Sequence, residues 1–210
     1  MRSVPVALAG GLALVAVAVG GTLSRPPVII AGTNSVAAQL AAGHTRGDTR
    51  GCQQGGTLPG GTAAIRLSLS ANVGPKVALN VRLGSRVVTR GERDAGWGEE
   101  ETVSVPVARV ARTTPGVVVC TTVGPTIESL QINGTPKRPT PSGALGLRDV
   151  LLRIEYLRPG HRSWWSLASS VAYHMGLGHA PSGAWIVFLL LVLMFAVAAL
   201  ASQLVVRELR

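Results

Sequence analysis

The sequence predicts a mainly β protein, an antiparallel β-sandwich of immunoglobulin-like or jelly-roll type. An N-terminal signal anchor and a C-terminal transmembrane helix are expected to flank it. Three observations lead there. Residues 62–158 carry short runs in which apolar and polar side chains alternate, broken by turn residues. Both ends of the chain hold long uncharged apolar runs, whereas the middle is polar and basic. The two cysteines, Cys52 and Cys120, both lie in that middle.

The chain opens "MRSVPVALAGGLALVAVAVGGTLSR", with Arg2 followed by no charge from residue 3 to 24. Two readings fit residues 1–25. A secretory signal peptide would use residues 4–15 as its apolar centre and Ala16-Val17-Ala18 as a small-x-small cleavage site. A retained signal anchor would use residues 4–23, close to the length of a span. Gly10, Gly11, Gly20 and Gly21 soften such a helix without forbidding it. Both readings send the following residues across a membrane. Residues 26–61, rich in glycine and polar side chains, read as a linker, with Asn34 expected to cap a short helix through Ala42.

From residue 62 the period changes to two. "AAIRLSLS" sets Ile65, Leu67 and Leu69 against Arg66, Ser68 and Ser70. "KVALNVRLG" sets Val77, Leu79, Val81 and Leu83 against Ala78, Asn80 and Arg82. "ETVSVPVARV" sets Val103, Val105 and Val107 against Thr102, Ser104, Pro106 and Ala108. Successive side chains point to opposite faces of a strand, so each run has one face toward a core. Pro106 has no N–H to offer a neighbour, which places its strand at an edge. Runs at 85–90, 116–123, 126–132 and 149–157 bring the set to seven. Asn133-Gly134-Thr135 reads as a hairpin turn rather than a glycosylated sequon, and the proline-rich 135–146 as a loop. Seven short strands of this kind make two packed antiparallel sheets. Paired, Cys52 and Cys120 would close a loop whose chain-entropy contribution is about 4 kcal/mol, and an exported chain favours that pairing.

After the last strand, Ser163 stands ready to cap a helix. Trp164, Leu167, Ala168, Val171, Ala172 and Met175 recur at helical spacing as one apolar stripe, with Ser166, Ser169, Ser170 and His174 opposite. Gly176 and Gly178 end it. The run 184–206, "AWIVFLLLVLMFAVAALASQLVV", then holds no charge over 23 residues. At about 1.5 Å per residue it reaches roughly 30 Å or more, the thickness of a bilayer core. Tryptophan and tyrosine favour the headgroup zone. Trp164, Trp165, Tyr173 and Trp185 therefore read as an interfacial collar on a juxtamembrane helix within 159–182, ahead of a transmembrane helix at 183–206 and a cytoplasmic tail at 207–210. Basic residues flank both ends of both apolar runs, so they do not orient the chain. The signal-like start and the cysteine pair do: both ends are expected in the cytoplasm and 62–158 outside it.

Chemistry is sparsely marked. His174 and His179 straddle two glycines at a spacing unlike a zinc pair, and the run Glu99, Glu100, Glu101 alternates faces and cannot converge on a cation without bending. No nucleophile elbow and no phosphate loop appears, and the sequence asks for no cofactor. Asp94, Glu99, Glu128 and Glu155 are the pool from which a paired-carboxylate glycosidase would have to draw. Trp97, between glycines in "DAGWGEE", is the candidate to stack on a sugar face, against the plainer role of a core tryptophan. The net charge of +10 comes from 20 basic and 10 acidic residues. A basic exported domain suits anionic lipid headgroups or anionic envelope glycans. Nucleic acid is set aside, since no basic-aromatic platform accompanies the charge.

The segment from "RIEYLRPGHRSWWSLASSVAYHMGLGHAPSG" through the final apolar run, together with "GERDAGWGEEETVSVPV", resembles uncharacterised bitopic membrane proteins of actinobacterial lineages. The resemblance covers about two-thirds of the chain. It implies an exported β-sandwich followed by a Trp-Trp juxtamembrane segment and one span, and it brings no activity with it. The expectation is an accessory or recognition module of the cell envelope, held in the lipid bilayer. A membrane-tethered carbohydrate-active enzyme is the alternative, as is a structural subunit that packs on a polytopic membrane protein through Ala196, Ala198, Ala199 and Ala201.

Overall fold

The structure, a computed structural model, describes residues 3–37, 39–45, 47–98, 102–137, 146–174, 189 and 192–199. The chain forms two units: Val28–Pro159, and the flanks Met1–Pro27 with Gly160–Arg210.

Within Val28–Pro159 the alternating runs are strands. In chain order they are β1 (Val28–Thr33), β2 (Gln39–Thr45), β3 (Thr49–Leu58), β4 (Ala64–Leu67), β5 (Leu69–Ser70) and β6 (Val77–Leu83). Then come β7 (Arg86–Arg93), β8 (Val103–Pro106), β9 (Thr114–Val123), β10 (Leu130–Pro136), β11 (Val150–Leu152) and β12 (Ile154–Pro159). They build three antiparallel sheets rather than the two expected. The first has the order β1-β12-β4-β8, the second β11-β10-β2 with β5 also beside β10, and the third β3-β9-β6-β7. Pro106 does lie on an edge strand, β8.

The extra sheet arises because two strands bend and change partners. Ser68 separates β4 from β5, and Arg153 separates β11 from β12. At that corner the Ser68 amide donates to the Arg153 carbonyl (3.2 Å), the Arg153 amide to Asn133 (3.4 Å), and the Asn133 amide to Ser68 (2.9 Å). Strands that pass between sheets through such bends make corners in packed β structures. A two-fold period in sequence reports which side chains face inward, and it is the same on either side of a corner.

All three sheets face one core. Ile65, Leu67, Val77, Val81, Val105, Val117, Leu130, Ile132, Val150 and Ile154 are wholly buried in it. Tyr156 of β12 is equally buried, and its hydroxyl donates across the core to the Gly55 carbonyl of β3 at 2.7 Å. Burial pushes that phenol above its usual range, because the interior disfavours the phenolate.

The region read as a linker is the main correction. Residues 28–58 are three strands: β1 pairs with β12, β2 with β10, and β3 with β9. Asn34 caps no helix. Its side-chain amide donates to the Leu152 carbonyl (2.8 Å) and accepts from the Ile154 amide (3.0 Å). The glycines that suggested flexibility are close approaches instead. A Cβ on Gly55 would sit 2.5 Å from the Tyr156 hydroxyl and 2.7 Å from Val119. Asn133-Gly134 is likewise inside β10 rather than a turn. Asn133 is buried, and a Cβ on Gly134 would meet the Leu151 carbonyl at 2.1 Å. Residues 138–145 of the proline-rich loop lie outside the described residues.

The flanking unit holds α1 (Ser3–Leu23) and α2 (Trp164–His174). Ser163 caps α2 as expected: its Oγ accepts from the Ser166 amide at 3.4 Å and its carbonyl from Leu167 at 3.2 Å. Among the described residues no helix is long and apolar enough to cross a membrane. Most of the expected span 183–206, the tail 207–210 and Trp185 lie outside the described residues.

Candidate functional site

The third sheet brings the polar alternates of four strands onto one outward face. Its inner face carries Val77, Leu79 and Val81 of β6 and Val117, Val119 and Val123 of β9, all buried. The opposite side chains follow from register. Cys52, Cys120, Asn80 and Arg90 stand in one row across β3, β9, β6 and β7. Arg50, Thr122, Ala78 and Glu92 stand in the next. All of these but Cys52 line a shallow concavity of about 530 Å³.

The disulfide joining Cys52 to Cys120 forms the floor of this face. The two cysteines are direct neighbours in the β3–β9 ladder, so the bond lies within one sheet and does not join two. It therefore differs from the inter-sheet bridge of antibody domains. The edge of β3 beside it is covered. Leu147 packs over Gly51, and the Arg148 side chain donates to the Arg50 carbonyl at 3.2 Å.

Charge on the face is unequal. Glu92 is held by Lys76 at 2.9 Å, and that hydrogen-bonded carboxylate raises the Lys76 ammonium above its ordinary value. Arg50 and Arg90 are exposed, and neither has a carboxylate within ion-pair distance among the described residues. Two further polar atoms on β6, Asn80 Oδ1 and Arg82 Nε, are enclosed without a hydrogen-bond partner among the described residues. Buried polar atoms are nearly always bonded, so hydrogen-bonding capacity is left over here. Guanidinium groups and amides at such positions hold oxyanions and hydroxyls.

The sequence-derived candidates are placed elsewhere. Trp97 does not offer a stacking surface. It is 5% exposed, its indole N–H donates to the Pro75 carbonyl at 2.7 Å, and a Cβ on Gly74 would touch its ring. Burying the ring removes a large apolar area from water while the one polar atom stays satisfied, so the core role wins. The carboxylate pool is dispersed among separate tasks. Glu155 on the first sheet is clasped by Arg153 (2.9 Å) and Arg66 (3.4 Å), and Glu128 accepts from the Val73 amide (3.1 Å). Asp94 follows β7, and Glu99 lies outside the described residues. Among the described residues no three His, Cys, Asp or Glu side chains are grouped to hold a metal ion.

On α2, Trp164 and Tyr173 are exposed, at 45% and 63%, and Tyr173 meets His174 edge to face. Trp165 is half-buried and donates to the Gly20 carbonyl at 3.5 Å. The four-strand row was half legible in sequence. The alternation already set Asn80 and Arg82 opposite the core, but nothing local joins them to Arg50 and Arg90.

Comparison with protein-family models, with curated proteins and with solved structures finds no match for this chain.

Proposed function

We propose that this chain is a membrane-anchored, extracytoplasmic recognition module of the cell envelope that acts by binding rather than by catalysis. The observation that carries this reading is the Cys52–Cys120 disulfide on the outer face of the β domain. Such bonds persist in oxidising, extracytoplasmic compartments. Three features of the flanks support it. Residues 3–24 carry no charge, and Leu14 and Val17 of α1 stand 73% exposed, an apolar surface that lipid would cover. The run 184–206 is also uncharged. Trp164 and Tyr173 present aromatic rings where α2 would lie along a leaflet.

In this scheme both termini are cytoplasmic and the β domain, a sandwich-like fold closed by a third sheet, lies outside. Tethering confines it near the membrane. That raises its effective concentration toward envelope polymers, headgroups and any polytopic membrane partner. The test is fractionation of cells expressing the full chain. The protein should stay with membranes through an alkaline carbonate wash, and protease added to spheroplasts should cut in the proline-rich stretch from Thr135 to Gly146. Recovery in the soluble fraction without detergent overturns the anchor, and protection of that loop overturns the topology.

A further inference from the structure

The outward face of the third sheet has a shape and charge that select among anionic ligands. We propose that it binds a linear acidic polysaccharide laid across the four strands, from Arg50 on β3 to Arg90 on β7. The setting rests on the extracytoplasmic reading above, whereas the site stands on its own geometry.

Strands in a sheet lie about 4.8 Å apart, so β3 and β7 are three spacings from each other; Arg50 and Arg90 stand in neighbouring rows about 7 Å apart along the strands, which puts them roughly 16 Å apart at the backbone. Side chains stand roughly perpendicular to a sheet, so guanidinium groups held above their own strands are spaced for oxyanions on separate rings of a polymer. Between the cations lie Thr122 and Asn80, a hydroxyl and an amide, which suit the hydroxyls of a sugar ring. Asn80 Oδ1 is one of the enclosed atoms with unused bonding capacity. The concavity of about 530 Å³ suits a chain resting in it better than a flat leaflet. Glu92 would oppose an anion, but Lys76 already neutralises it. Specificity thus comes from paired cations at fixed spacing with polar groups between them.

The test uses the purified full chain in uncharged detergent micelles, titrated with polygalacturonate, dextran, poly-glutamate and glycerol phosphate. Polygalacturonate should bind, weakening as salt rises, while dextran and glycerol phosphate do not and poly-glutamate binds at least about tenfold more weakly. Arg50→Gln and Arg90→Gln should each weaken polygalacturonate binding by about tenfold or more. The charge-matched pair Arg109→Gln with Arg112→Gln, exposed on other loops, should leave it unchanged. Glu92→Gln should tighten it and shows that the face remains folded after substitution. Equal binding of poly-glutamate or glycerol phosphate would reduce the site to bare charge and overturn the proposal. So would a loss at only one of the two arginines, or an equal loss in the Arg109/Arg112 pair. Because the protein is assayed in micelles, failure here leaves the fractionation result untouched, and a soluble protein that still binds would sink only the anchor.

Discussion

Replacing Tyr156 with Phe removes one oxygen from the centre of the β domain and tests how its sheets are joined. The register of β3 against β9 shifts between Gln54 and Gly56, which leaves Gly55 as an extra residue outside the ladder. Its carbonyl points into the core and is satisfied by the Tyr156 hydroxyl at 2.7 Å, donated from a strand 101 residues away. Phenylalanine keeps the ring and its apolar burial, so the loss is confined to the hydrogen bond and an orphaned buried carbonyl. That combination costs about 1–3 kcal/mol. For a domain the size of Val28–Pro159, about 2 kcal/mol lowers Tm by roughly 8 °C. Calorimetry of the full chain in detergent, following the β-domain transition, reads this directly. A pH series gives an independent arm. The folded phenol is raised above its usual value of 10.0, so only the unfolded chain loses this proton as pH climbs past about 10. The unfolded state then binds fewer protons, and stability falls by about 1.4 kcal/mol per pH unit in that window. Below it the contribution is fully present. The Tyr156→Phe protein lacks this extra alkaline slope. If it melts with the parent and shows the same slope above pH 10, the cross-core bond does not hold the sheets as described.

Other substitutions test neighbouring parts of the argument. Gly55→Ala forces a Cβ to within 2.5 Å of the Tyr156 hydroxyl. It should destabilise by at least about 2 kcal/mol, read from a urea midpoint, with part of the loss recovered in the Tyr156→Phe background. Replacing both Cys52 and Cys120 with Ala should cost about 4 kcal/mol, and non-reducing peptide mapping of the parent should find the two linked. Trp97 should resist a soluble fluorescence quencher in a variant lacking the other three tryptophans, whether or not sugars are present; ready quenching would reopen its surface role. Ser163→Ala should weaken the start of α2 by about 1 kcal/mol, visible as faster amide exchange over residues 164–167.

Much of the β domain was readable because burial on one face imposes a period of two. Ile65, Leu67, Val77, Leu79, Val81, Val103 and Val105 announce their strands that way, and all seven are buried. Capping chemistry is equally local, and Ser163 could be assigned from three neighbouring positions. The strands in 28–58 were hidden because their signal is not local. Glycines 51 and 55 look like linker residues until Leu147 and Tyr156 are found pressed against them. Asn34 looks like a helix cap until the β11–β12 backbone is beside it. Trp97 had two roles open in sequence, and Gly74 with the Pro75 carbonyl decided between them.

The chain's amino-acid order by itself settled the β character, the edge position of Pro106, the helix start at Ser163 and the two uncharged ends. These depend on neighbours within a few residues, where sterics and face alternation act. Tertiary contact alone decided which strands pair, where Ser68 and Arg153 turn the corner into a third sheet, and that Arg50, Thr122, Asn80 and Arg90 share a surface. Such choices rest on hydrogen-bond ladders between segments tens of residues apart, and a one-dimensional pattern of apolar and polar side chains is the same for every register that keeps the core inside.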